Sequence, residues 1–126
     1  FYINGELDKT DTSITTDLAS NAQDIKIGYD GQNEYFQGKL DEVRIWSVVR
    51  SQAEIQANIN TELLGTESNL VAYYKLNESS GTTAEDQTSN NNDGTLTNMD
   101  GSNDWVSGFE PAARFRRWIE TPGVSR

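Results

Sequence analysis

The sequence contains no cysteine and no histidine. Without thiols it can form neither a disulfide nor a thiolate metal site, and without imidazole it has no histidine-based nucleophilic triad and no histidine-bound zinc. Two broad classes of enzyme chemistry are thereby excluded. Positive charge is also scarce, with 10 Lys and Arg against 20 Asp and Glu and a formal net charge of −10. No apolar run reaches the roughly 20 residues that a membrane-spanning helix needs, so membrane insertion is not expected. Stretches with helical periodicity are few. What is plentiful is turn chemistry: ten glycines and many Asn, Asp, Ser and Thr residues separate short apolar runs. That texture implies an all-β class, and 126 residues are enough for one domain with one core.

The charge is uneven along the chain. Residues 1–110 carry 6 Lys and Arg against 19 Asp and Glu, a balance of −13, whereas residues 111–126 carry 4 Arg against Glu120. The acidic body repels nucleic acid, so no nucleic-acid partner is expected. The tail places Arg114, Phe115, Arg116, Arg117, Trp118 and Ile119 together before Thr121-Pro122-Gly123. It is read as a segment distinct from the 1–110 domain, either packed on the acidic body or non-native.

Residues 1–7 read as a hairpin, because Asn4-Gly5 takes the positive φ values that a type I′ turn demands. A polar segment with one weak strand near Ser13–Thr16 follows. Asp24–Tyr29 alternates Ile25 and Ile27 with Asp24 and Lys26, which predicts a strand with one dry face. Leu40–Val48 alternates again, with Asp41, Val43 and Ile45 on one side and Glu42, Arg44 and Trp46 on the other. Ser51 followed by Glu54 has capping-box spacing and predicts a short helix over 51–60. Asn60–Asn69 is a polar connection. Leu70–Leu76 is a central strand with Leu70, Ala72, Tyr74 and Leu76 on one face and Val71, Tyr73 and Lys75 on the other. A long loop over 77–92, a short strand over 93–98 and an edge strand at Trp105-Val106 complete the reading. Asn77-Glu78-Ser79 fits the N-glycosylation triplet, a motif too short to assign a function.

The run Gly38-Lys-Leu-Asp-Glu-Val-Arg-Ile-Trp46 leading into Arg50-Ser-Gln-Ala-Glu-Ile55 resembles the laminin G-like and pentraxin-like domains of the concanavalin A-like lectin and glucanase superfamily. FYINGEL at 1–7, IKIGYDG at 25–31 and LVAYYKLNESSGTTAEDQTSNNNDGTLTN at 70–98 resemble the same family. The resemblance implies an antiparallel jelly-roll β-sandwich over 1–110 with one short connector helix. The sandwich is expected to be N-terminally incomplete, since residue 1 already stands inside a strand. In many such domains the YYKLNE…DGTL segment comes first and the DEVRIW strand last, the reverse of the order here. A pentraxin-like ending, a junction of tandem repeats and a permuted arrangement all remain open, and the compact link over 51–69 favours the first.

The resemblance further implies a non-catalytic module on a secreted or cell-surface protein, binding a glycan or another surface protein. An architectural repeat of an adhesin and an accessory module of a glycoside hydrolase are the alternatives. A sugar ring stacks its C–H face on an aromatic plane, which makes Tyr29, Tyr35, Trp46 and Trp105 the candidate ligand residues. No residue is assigned a catalytic role. Retaining glucanases of this superfamily need two carboxylates about 5 Å apart on a Glu-x-Asp-x-Glu strand, and the nearest match, Glu6-Leu7-Asp8-Lys9-Thr10, lacks the second glutamate. One structural calcium is the cofactor that the resemblance implies, the alternative being that Asp41 caps or hydrogen-bonds its loop without an ion. Asp41 occupies the place of a calcium-holding aspartate in the glucanase branch, and Asp86, Asn92 and Asp93 resemble a laminin G-like loop rich in the oxygens that calcium prefers. The shorter Asp30–Glu34 loop, including Asn33, reads as a solvated turn. Sheet edges left open by an incomplete sandwich could pair between chains, giving a homo-oligomer.

Overall fold

The chain is described from a computed structural model, which covers residues 1–10, 24–32 and 34–108. The weak strand expected near 13–16, Asn33 of the solvated turn and the basic tail lie outside these residues. Within them the protein is strand-dominated, with three two-stranded antiparallel sheets and one helix.

β1 (Tyr2–Ile3) and β2 (Glu6–Leu7) form the predicted hairpin. Asn4 at φ 52° and Gly5 at φ 78° supply the two left-handed positions of a type I′ turn. Gly5 is buried under the helix, where an added Cβ would come within 2.9 Å of Gln56 Cγ.

The centre of the fold is β3 (Val43–Trp46) paired antiparallel with β4 (Leu70–Tyr74). β3 is shorter than the alternation suggested, because Glu42 takes φ 53° and breaks the extended backbone just before it. Val43 and Ile45 face Ala72, Tyr74 and Ala84, with Leu76, Leu96 and Trp105 packed around them. On the opposite face Trp46 packs against Leu63, Leu70 and Tyr73. Leu70 is therefore on the other side from Ala72 and Tyr74, contrary to strict alternation. The register explains it: Ile45 pairs with Ala72 but Trp46 pairs with Leu70, leaving Val71 as the extra residue of a bulge. One inserted residue inverts every side chain beyond it, and Val71 is left exposed.

α1 (Gln52–Asn58) starts where the capping box predicts. The Glu54 amide donates to Ser51 Oγ at 3.3 Å, and the Ser51 amide donates to Glu54 Oε2 at 2.8 Å. The last turn carries no basic residue. Instead, Arg44 of β3 donates to the Asn58 carbonyl at 2.8 Å and to the Thr61 carbonyl at 2.5 Å, satisfying acceptors that the helix end leaves open. Gln52 and Gln56, one turn apart, donate to the Glu6 carboxylate at 3.1 and 2.9 Å, and Gln56 also reaches the Gly5 carbonyl. The helix is thus fastened to a hairpin on one side and to the central strand pair on the other.

β5 (Thr83–Ala84), inside the 77–92 stretch that the sequence reads as loop, pairs with β6 (Gly94–Thr95), which falls in the short strand expected over 93–98. The chain after β5 runs along β4, with a Tyr74–Asp86 bridge and a hydrogen bond from the Gln87 amide to the Tyr73 carbonyl. Two expected strands form no ladder among the described residues. Asp24–Tyr29 forms only the isolated Tyr29–Tyr35 bridge, and Ile25 and Ile27 are exposed with no sheet partner among the described residues. Trp105-Val106 makes no ladder; Trp105 is positioned by its indole N–H, which donates to the Gly81 carbonyl at 2.8 Å.

Candidate functional site

Between β3 and α1 lies a groove of about 310 Å³. Asp41, Glu42, Arg44 and Trp46 wall it on the strand side; Arg50, Glu54, Ile55 and Asn58 wall it on the helix side. The strand's alternation puts Arg44 and Trp46 on this face, and the capping box fixes Glu54 at the first helical turn. Trp46 is half-buried, and the Arg50 guanidinium stands over its ring at 4.2 Å from the centroid. Arg50 Nη1 in turn meets Glu54 Oε1 at 3.0 Å. Hydrogen bonds from the Ser51 amide and hydroxyl hold the Glu54 carboxyl below the usual carboxylate range, aided by Arg50 and opposed by slight desolvation.

The inner wall is built on a buried polar cluster. Tyr73, fully buried at 0% exposure, donates its hydroxyl to the Glu42 carboxylate at 2.8 Å and accepts the Leu63 amide at 3.2 Å. Burial, and then the hydrogen bond to Glu42, push the Tyr73 hydroxyl up to about 12. Arg44 meets the same carboxylate at 2.6 Å. Both guanidinium groups of the groove therefore already have carboxylate partners, and its charge is three acids against two arginines.

Of the four aromatic candidates, only Trp46 lies in this groove. Tyr29 and Tyr35 meet each other at 5.0 Å on the 28–36 hairpin, with Lys26 over Tyr29 and Tyr35 well exposed. Trp105 packs into the core face around Tyr74. The four do not form one surface. Sequence reasoning missed Arg50, although its spacing of four residues from both Trp46 and Glu54 was a visible signal; the Arg50–Glu54 half of it is ordinary helical pairing.

The residues expected to hold calcium are also divided. Asp41 lines the groove, with its carboxylate against Gly108. Asp86, Asn92 and Asp93 share the loop after β5, where the Asp86 carboxylate is already surrounded by donors. Its Oδ1 accepts the Tyr73 amide at 3.0 Å and the Thr88 amide at 2.9 Å; its Oδ2 accepts the Thr88 hydroxyl and the Asn92 amide, each at 2.9 Å. Asp93 Oδ1 accepts the Asp86 amide, and the Asn92 side-chain amide donates to the Val71 carbonyl. Four N–H and O–H dipoles aimed at one carboxylate do the work a cation would do and repel one. Among the described residues, no three acidic side chains converge on a point where an ion could sit. These residues do not fit a calcium ion, and Asp86 is better described as the nucleus of a hydrogen-bonded loop. Asp30 does the same on a smaller scale, accepting the Gln32 and Glu34 amides, as expected of a solvated turn.

A strand-rich module with one capped helix and an aromatic-walled groove is the class these features define. Residues 1–56 match the laminin G-like model of the concanavalin A-like lectin/glucanases superfamily. The matched stretch contains the hairpin, β3 and most of α1, and so most of the groove. No curated protein and no solved structure matches the chain. No helix among the described residues is long and apolar enough to cross a membrane.

Proposed function

We propose that the protein is a non-catalytic carbohydrate-binding module of the adhesion type, working outside the cell as part of a jelly-roll sandwich, with the β3–α1 groove as its binding face. The observation that carries this reading is Trp46 on the wall of a groove that also presents Ile55 and Ile59 beside the polar side chains of Asp41, Arg50, Glu54 and Asn58. An indole stacks on a sugar ring, while Asp41 and Asn58 are of the types that take hydroxyl groups. The superfamily match over residues 1–56, which include most of the groove, supports the reading. A glycan array, followed by pull-down on insoluble polysaccharides, tests it. Wild type should be retained on at least one neutral glycan and the Trp46→Ala protein should not.

A further inference from the structure

We propose that Arg50 is a gate on the binding face, selecting neutral sugars by occupying the Trp46 ring until a ligand displaces it; this rests on the carbohydrate-binding reading above. The guanidinium stands 4.2 Å from the indole centroid, which is where a sugar ring would have to lie on that side of the ring. It is held there by a second contact, the 3.0 Å ion pair to Glu54. Arg50 is partly exposed, with a side-chain exposure of 23%, so it can swing into solvent without opening the core. The remaining cation of the groove, Arg44, is tied to Glu42 and to two backbone carbonyls. An anionic sugar would find Asp41, Glu42 and Glu54 in the lining and no guanidinium without a carboxylate partner. A neutral ring has only to exchange with Arg50, and both contacts holding Arg50 are of the weak, partly solvated kind.

The test uses soluble neutral oligosaccharides (cello-, laminari-, xylo- and malto-hexaoses) and hexagalacturonate as the anionic probe, with affinity read by calorimetry. Arg50→Ala uncovers the indole and should bind the retained neutral sugar about three- to tenfold more tightly than wild type. Glu54→Gln keeps a capping-box side chain but removes the ion pair, so it should give a smaller gain in the same direction. Circular dichroism of both variants should match wild type, and Trp46→Ala should bind nothing. Arg50→Ala binding equally or more weakly, with Trp46→Ala still inactive, would overturn the gate and leave the carbohydrate reading standing. Hexagalacturonate binding more tightly than the neutral sugars in wild type would also overturn the selectivity. If Trp46→Ala binds as wild type does, or no variant binds any sugar, the carbohydrate reading fails and the gate fails with it.

Discussion

Two buried side chains, Asp86 along the edge of β4 and Tyr73 on the groove-side face, hold the central strand pair, and their ionisation works in opposite senses. Desolvation of Asp86 would raise its carboxyl, but hydrogen bonds from Thr88, Asn92 and Tyr73 outweigh it and lower the carboxyl below its ordinary value of 3.8. A depressed carboxyl contributes stability that is present above about pH 4 and is lost as pH falls through the lower folded value. Asp86→Ala leaves four donors unanswered and should cost roughly 2–4 kcal/mol in urea unfolding, with part of the acid sensitivity removed. Tyr73 is raised from 10.0 to about 12, so its contribution is complete below pH 10 and is lost as pH climbs from 10 to 12. That interval is worth roughly 2–3 kcal/mol at full weight. In Tyr73→Phe this alkaline loss should vanish from stability curves measured between pH 9 and 12, at a neutral-pH cost of about 1–2 kcal/mol for the unpaired Leu63 amide and Glu42 oxygens.

At the scale of elements, the helix and the hairpin answer to local chemistry. Ser51→Ala removes the oxygen that accepts the Glu54 amide, and thermal unfolding should show a loss of about 0.5–2 kcal/mol. The same substitution should loosen Arg50 indirectly, because Glu54 is aimed by Ser51. Both elements were legible in the sequence because Asn4-Gly5 and Ser51-x-x-Glu54 encode their own backbone geometry within four residues. β3 and β4 were legible by alternation, as was the start of β4 at Leu70, but both ends of β3 and the end of β4 were not. Glu42 and Leu76 adopt positive φ, an outcome that their residue types do not announce, and the bulge at Val71 is decided by the partner strand. Asp24–Tyr29 alternates as well as β3 does, yet with no strand partner among the described residues it forms one bridge there, since a ladder is a property of two strands. Leu63 joins the core from a polar connection because Gly65, at φ +82°, folds that connection against Gln87. A Cβ there would fall 2.1 Å from the Gln87 carbonyl oxygen. Gly65→Ala should therefore cost more than about 2 kcal/mol and broaden the unfolding transition, which calorimetry can check. For the groove, Trp46 was legible as an aromatic on a strand; its guanidinium cover was not, because that contact joins the strand to the residue before the helix cap.

At the scale of the whole molecule, the acidic excess and the oxygen-rich loops suggest a divalent cation, and the hydrogen bonding argues against one. Residues 1–110 carry a balance of −13, so any added salt should raise the melting temperature modestly by screening self-repulsion. An ion bound specifically to the folded state would do more, stabilising in proportion to the logarithm of its concentration and far below the ionic strength at which screening matters. The loop that looked most suited to calcium has its buried carboxylate filled by four donors from the protein itself. Asp41, which completed the expected set, lines the groove instead. Melting followed by circular dichroism should accordingly be unchanged by a chelator at low millimolar concentration. Calcium chloride and sodium chloride matched for ionic strength should give melting temperatures within about 1 °C of each other, since screening depends on ionic strength rather than on the identity of the cation. A chelator-induced fall in melting temperature that calcium restores and sodium does not would mean that Asp86 exchanges its amide donors for an ion, and Asp86→Asn would then have to abolish the response.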